Sequence, residues 1–226
     1  MKKARPNLLK EACVKFAAGV ILVGALLFLP AGTVYYPGGW LLMVVLFVPM
    51  FFAGLVMWRK APDLLESRLR AKEKEGTQKR VIGLSGLMFL AGFVLAGLDF
   101  RWSWTFVPRW LTVAAAAVFL VGYLLFAEVL RENAYLSRVI EVLEGQTVVD
   151  SGLYGVIRHP MYSATLLMFL SMPLVLGSWI ALLVFLMYPV LLYQRIGNEE
   201  DVLREQLDGY SAYCEKVKYR LLPFIW

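Results

Sequence analysis

The sequence predicts an all-helical, polytopic bundle embedded in a membrane. Sixty per cent of the residues are apolar and only 18% are charged, and the mean hydropathy is +0.65. The apolar residues also gather in long windows instead of alternating with polar ones, the pattern of spanning helices and not of strands. These windows take up most of the 226 residues, so a single domain over residues 1–226 is expected, with spans in 1–130 and a more polar region in 131–226.

The first window, residues 12–29, follows a basic stretch as a signal peptide would. No clean small-residue cleavage site precedes Tyr35 and Tyr36, and Pro-Gly-Gly leads straight into the next window, so the segment is read as retained. Windows at 40–58, 81–98 and 110–130 follow, each near the length that crosses a core of roughly 30 Å at about 1.5 Å per residue. A fifth stretch, 161–176, meets Gly177-Ser178 and turns into a sixth, 179–193. Both are somewhat short for full crossings, so five to six spans are expected, the last two forming a tight C-terminal helical hairpin before a cytosolic amphipathic tail.

Lys and Arg number four in residues 1–10, eight in 59–80, three in 131–158 and five in 195–226, against two, Arg101 and Arg109, at the opposite end. The positive-inside rule then places both termini in the cytoplasm, with the cytoplasmic membrane of a prokaryote as the expected location. The net charge of +6 belongs to loops near anionic headgroups and calls for no nucleic acid. Residues 59–80 read as a solvated helix or loop, and "DFRWSWTFVPRW", with three tryptophans, as an interfacial aromatic belt.

Cys13 and Cys214 lie at opposite ends of the chain and His159 is the only histidine, so neither a disulfide framework nor a metal site is indicated. Charge at membrane depth is scarce: Lys15 can snorkel and Glu128 lies near a helix end. Without internal repeats, a transporter or channel is disfavoured.

Polar chemistry concentrates in residues 131–162 and 195–226. In "GLYGVIRHPMY", Pro160 suits the first turn of a helix because its missing N–H would have had no intrahelical partner, which puts His159 at the cap. The positive end of that helix favours an anionic group and a neutral imidazole. In "YQRIGNEEDVLREQL", Arg195 and Glu199 stand four apart and share a face if the helix continues through Gly197. The hairpin would bring His159, Tyr162, Arg195, Glu199 and Glu200 to one side. An interfacial salt-bridge cluster, with Arg158 on phosphate headgroups, is an equally open reading of these residues. Arg220 reads as a headgroup anchor ahead of a partner for the carboxylate cluster, Asn133 and Tyr135 as capping or interfacial groups ahead of pocket wall, and Tyr210 and Tyr213 as packing residues ahead of substrate contacts.

"RHPMY", 36 intervening residues and "EE" resemble the signature of the isoprenylcysteine carboxyl methyltransferase family, which includes phospholipid methyltransferase-like membrane enzymes. The resemblance covers residues 133–226, including "TVVDSGLYGVIRHPMY", the "GSW" turn, "RIGNEEDVL" and "LDGYSAYCEKVKYRLLP". It implies a membrane methyltransferase that uses S-adenosylmethionine, releases S-adenosylhomocysteine and admits a lipophilic acceptor from the bilayer. Residues 131–226 would then be the cofactor-binding region. No Rossmann domain is implied, and no GxGxxG after a strand is present.

Carried over residue by residue, the resemblance gives Tyr154, His159, Pro160, Met161 and Tyr162 to the cofactor pocket, with Thr147, Val148 and Val149 beside them and Glu199 and Glu200 closing it. Arg195 is the match for an arginine that holds an acceptor carboxylate, and which glutamate faces the cofactor stays open. A carboxylate acceptor needs no general base, whereas an amine would need His159 or a glutamate to take its proton. Isoprenylcysteine-type carboxylates, phospholipid or other lipophilic amines, and a non-enzymatic lipid-binding role are the readings carried forward.

Overall fold

The computed structural model describes residues 6–70, 76–133, 142 and 145–226. Tyr135, Arg138, residues 71–75 of the basic connection and the first five residues lie outside the described residues. The described regular structure is helical, without a strand, and five helices are long and apolar enough to cross a membrane. The protein is an integral membrane helical bundle.

Helices α1 (Pro6–Ala31) and α2 (Pro37–Lys60) form a first hairpin, a short α3 (Pro62–Arg70) follows, and α4 (Gly76–Trp102) and α5 (Arg109–Glu132) form a second. The described part of the basic connection is more ordered against the bundle than its charge suggests. Leu65 of α3 is buried, Lys15 of α1 donates to the Leu69 carbonyl at 2.6 Å, and the Arg68 guanidinium lies 5.7 Å over the Phe126 ring.

The chain then runs through a 3₁₀ turn (Gly152–Gly155) into α6 (Pro160–Val175), α7 (Trp179–Phe185), α8 (Tyr188–Gln206) and α9 (Tyr210–Lys216). With 16 residues, α6 is about 24 Å long and falls short of a full crossing. The expected sixth stretch, 179–193, lies within one apolar span, Trp179–Gln206, the fifth of those long enough to cross, and that span is broken into α7 and α8. The Pro189 ring cannot follow a helical Phe185 carbonyl four residues earlier, so α7 ends at Phe185 and α8 restarts with Pro189 in its first turn. Beyond that break α8 continues through Gly197 to Gln206.

The α6–α7 turn is locked at the end of the bundle away from the termini. Gly177 adopts φ +80°, and the Ser178 hydroxyl oxygen caps α7 by accepting from the Ala181 N–H at 3.0 Å. Ser178 also donates to Asp99 of α4, whose carboxyl accepts from the Thr105 N–H at 2.7 Å and the Thr105 hydroxyl at 2.5 Å. The Tyr36 hydroxyl donates to the Leu176 carbonyl at 2.6 Å, so α2, α4 and the turn meet at one buried point. Asp99, 1% exposed, is a buried acid at the belt end of α4. Asp99→Ala strands two hydroxyls and an N–H, and is expected to cost on the order of 2–3 kcal/mol, read as a lower melting temperature in detergent.

Close helix approach positions α6 from its side. A Cβ on Gly122 of α5 would lie 2.7 Å from Met168 Cγ and 3.0 Å from the Ala164 carbonyl oxygen, so the missing side chain lets α5 and α6 pack backbone to backbone. Large apolar side chains such as Ile21, Leu29, Leu124 and Leu183 remain exposed, as a lipid-facing surface requires.

Candidate active site

The terminal end of the hairpin is built on the two helices that Pro160 and Pro189 begin. His159 is the N-cap of α6, and α8 turns Arg195, Glu199 and Glu200 toward it. The chain after α9 then lies across the start of α6. The Arg158 and His159 N–H groups donate to the Tyr219 and Arg220 carbonyls, both at 2.9 Å, and the Ser163 hydroxyl donates to the Leu221 carbonyl at 2.6 Å. This C-terminal strap satisfies backbone groups that would otherwise be orphaned at a helix start.

The two glutamates occupy different environments. The Glu200 side chain is 1% exposed and fully engaged. Its Oε1 accepts from Arg158 Nε at 2.8 Å and lies 3.1 Å from His159 Nε2, while its Oε2 accepts from Arg204 at 3.1 Å and lies 2.9 Å from an Arg220 terminal nitrogen. A carboxylate offers about four lone-pair sites. Three guanidiniums and an imidazole consume them, so Glu200 is the centre of a buried ion network.

Glu199 is 24% exposed at its side chain and accepts from the Tyr162 hydroxyl. Its Oε1 lies 3.9 Å from His159 Nδ1, and the His159 and Tyr162 rings are stacked with centroids 5.7 Å apart. Arg195 Nε donates to the same Tyr162 oxygen at 2.8 Å. Tyr162, 4% exposed, therefore joins a cation and an anion through one phenol. The five residues expected to converge, His159, Tyr162, Arg195, Glu199 and Glu200, do so.

Pro160 is buried and Met161 half-buried at the start of α6. Tyr154 sits on the 3₁₀ turn, where its hydroxyl accepts from Asn133 Nδ2 at 3.0 Å and its carbonyl accepts from the Tyr213 hydroxyl at 2.7 Å. Burial pushes the Tyr154 phenol up to about 12, against the Asn133 hydrogen bond and with the nearby Glu199 and Glu132 charges, so it stays neutral at physiological pH. The turn is pinned to α5 where the Leu153 N–H donates to Glu132 at 2.9 Å. Gly152, at φ +56° with the Glu132 carboxylate against it, leaves no room for a side chain.

Val148 packs on a small apolar cluster of Leu207, Tyr210, Tyr213 and Val217. Thr147 is exposed and Val149 half-buried, and among the described residues neither reaches His159 or the glutamates by a hydrogen bond. Arg158, placed at headgroups in one of the two open readings, is buried, held by Glu200 and by the Val217 and Lys218 carbonyls at 2.8 and 3.0 Å. Arg220 likewise turns inward to Glu200 instead of anchoring a headgroup. Arg204 also reaches Glu200, an i, i+4 pair whose spacing on a helix is a readable signal in the sequence.

Residues 112–205 match the Isoprenylcysteine carboxyl methyltransferase (ICMT) family. The resemblance carried by "RHPMY" and the paired glutamates is borne out, over a stretch that adds α5 and stops before α9. The chain is also 30% identical over 90 residues to a Delta(14)-sterol reductase of Mus musculus, covering 38% of this chain and 22% of the reductase. It is 32% identical over 82 residues to a 7-dehydrocholesterol reductase of Arabidopsis thaliana, covering 35% of this chain and 19% of the reductase. The chain thus spans about a fifth of the length of the curated relatives it matches.

Proposed function

We propose that this protein is a membrane methyltransferase that passes a methyl group from S-adenosylmethionine to a lipophilic acceptor, most simply a carboxylate of the isoprenylcysteine type. The observation that carries this reading is the Arg195–Tyr162–Glu199 chain, which sets a cation for an acceptor carboxylate beside an anion for a cationic cofactor. The residues present suit such a cofactor: Glu199 can pair with its ammonium, and the Tyr162 and His159 rings offer faces to a sulfonium. Pro160, Met161, Tyr154 and the Thr147–Val149 stretch would complete the pocket, while Glu200 acts by holding His159 and the strap in place.

When bound, S-adenosylmethionine would supply an electrophilic methyl group with its sulfur as the leaving group. Arg195 orients the acceptor carboxylate, and Tyr162 fixes the guanidinium by taking its Nε–H. With a carboxylate acceptor no proton moves, so positioning and exclusion of water carry the rate. With an amine acceptor, Glu199 or His159 takes the departing proton. The basic loops put this end of the bundle on the cytoplasmic side, and the acceptor enters between helices from the bilayer.

Arg195→Ala is expected to leave S-adenosylhomocysteine affinity within about twofold while lowering methyl transfer to a prenylated cysteine analogue by roughly 10- to 100-fold. An unchanged transfer rate would point to another acceptor or other contacts. The names of the two relatives favour a second reading, reduction of a sterol-like lipid, which needs a hydride donor. Calorimetric titration with S-adenosylhomocysteine and with a reduced nicotinamide dinucleotide separates the two, since each reading predicts saturable binding of one ligand alone.

A further inference from the structure

Buried phenols in this fold have partners. Those of Tyr36, Tyr154, Tyr162, Tyr188 and Tyr213 bond respectively to the Leu176 carbonyl, Asn133, Glu199, Thr165 and the Tyr154 carbonyl. Tyr210 differs: the residue is only 5% exposed, yet its hydroxyl has no hydrogen-bond partner among the described residues. A buried hydroxyl left unpaired is costly, and a Phe would fill the same space without that cost.

Its surroundings are those of the candidate site. Tyr210 opens α9 directly after Gly209, and α9 ends where the Val217 carbonyl takes the Arg158 guanidinium at 2.8 Å. Val148, from the stretch given to the cofactor by resemblance, packs on the same cluster as Tyr210. Burial raises the Tyr210 phenol above its ordinary range, and the charges of Glu200, Cys214 and Glu199 raise it further against the opposing charge of Arg158. The hydroxyl bonds to neither glutamate.

We propose that the Tyr210 hydroxyl binds the amino-acid end of S-adenosylmethionine, so that α9 and the strap form one wall of the cofactor site. This rests on the methyltransferase reading and extends it beyond the region matched by the family. The local charges are mixed: Glu199 and Glu200 stand among Arg158, Arg204 and Arg220. A zwitterionic ammonium and carboxylate suit such a setting, and a phenol, which both donates and accepts, can serve either group. Methyl transfer is unchanged in its atoms and electrons, because Tyr210 binds and does not exchange a proton.

The test is calorimetric titration of the purified full-length protein and Tyr210→Phe in detergent, with S-adenosylhomocysteine and with 5′-methylthioadenosine, which lacks the amino-acid end. Tyr210→Phe is expected to bind S-adenosylhomocysteine about tenfold more weakly, to bind 5′-methylthioadenosine as the wild type does, and to melt no lower without ligand. Equal S-adenosylhomocysteine affinity in the two proteins, or an equal loss for both ligands, overturns the assignment alone. Absence of S-adenosylhomocysteine binding by folded wild type overturns the methyltransferase reading and this assignment with it.

Discussion

Glu200→Ala is expected to destabilise the protein by about 3–5 kcal/mol, the scale for removing one partner of a buried ion network. The reason lies in the guanidinium left behind. The Arg158 side chain is 7% exposed, and without Glu200 it keeps only the Val217 and Lys218 carbonyls. Arg204 and Arg220 can turn toward water, since their side chains are 41% and 27% exposed, but Arg158 cannot. His159 loses its Nε2 partner at the same time, which frees the ring at the start of α6. Thermal unfolding in detergent checks this, and a melting temperature equal to that of the wild type would contradict it. A double alanine substitution of Glu199 and Glu200 therefore reports mainly on folding and is a poor probe of ligand binding.

Glu199→Gln should behave in the opposite way. Its amide oxygen can still accept from Tyr162, and the side chain is partly exposed, so the melting temperature without ligand should change little. The lost charge removes the group that pairs with a cationic cofactor. S-adenosylhomocysteine affinity is expected to fall on the order of 30- to 100-fold, as for truncating one side of a desolvated charge pair. A normal melting curve with normal affinity would remove Glu199 from the site. Adjacent in sequence, the two glutamates are thus expected to separate binding from stability.

Much of this was legible because it is local. Long apolar windows gave the four first spans, and Pro160 gave the α6 start with His159 at its cap. The i, i+4 spacing put Arg195 and Glu199 on one face, which α8 keeps by running through Gly197. The break at Pro189 was also readable, since proline excludes a helical carbonyl four residues before it, yet the apolar run concealed it. What sequence could not supply is contact between distant segments. Nothing in "KYRLLP" announces that its carbonyls hold Arg158 and His159, and sequence alone could not choose between a headgroup and a carboxylate for Arg220. The division of labour between Glu199 and Glu200 has the same origin, because it depends on which faces of α8 the strap and α6 cover. Asp99 escaped notice because it lies among aromatic residues that by themselves suggest only an interfacial belt.

The most direct measurement is calorimetric titration of S-adenosylhomocysteine into detergent-purified wild-type protein and Glu199→Gln, with melting curves of both. The cofactor site proposed at His159, Tyr162 and Glu199 predicts saturable binding to the wild type and the expected loss in Glu199→Gln at an unchanged melting temperature. Absence of binding to folded wild type, or equal affinity in the two proteins, would contradict it.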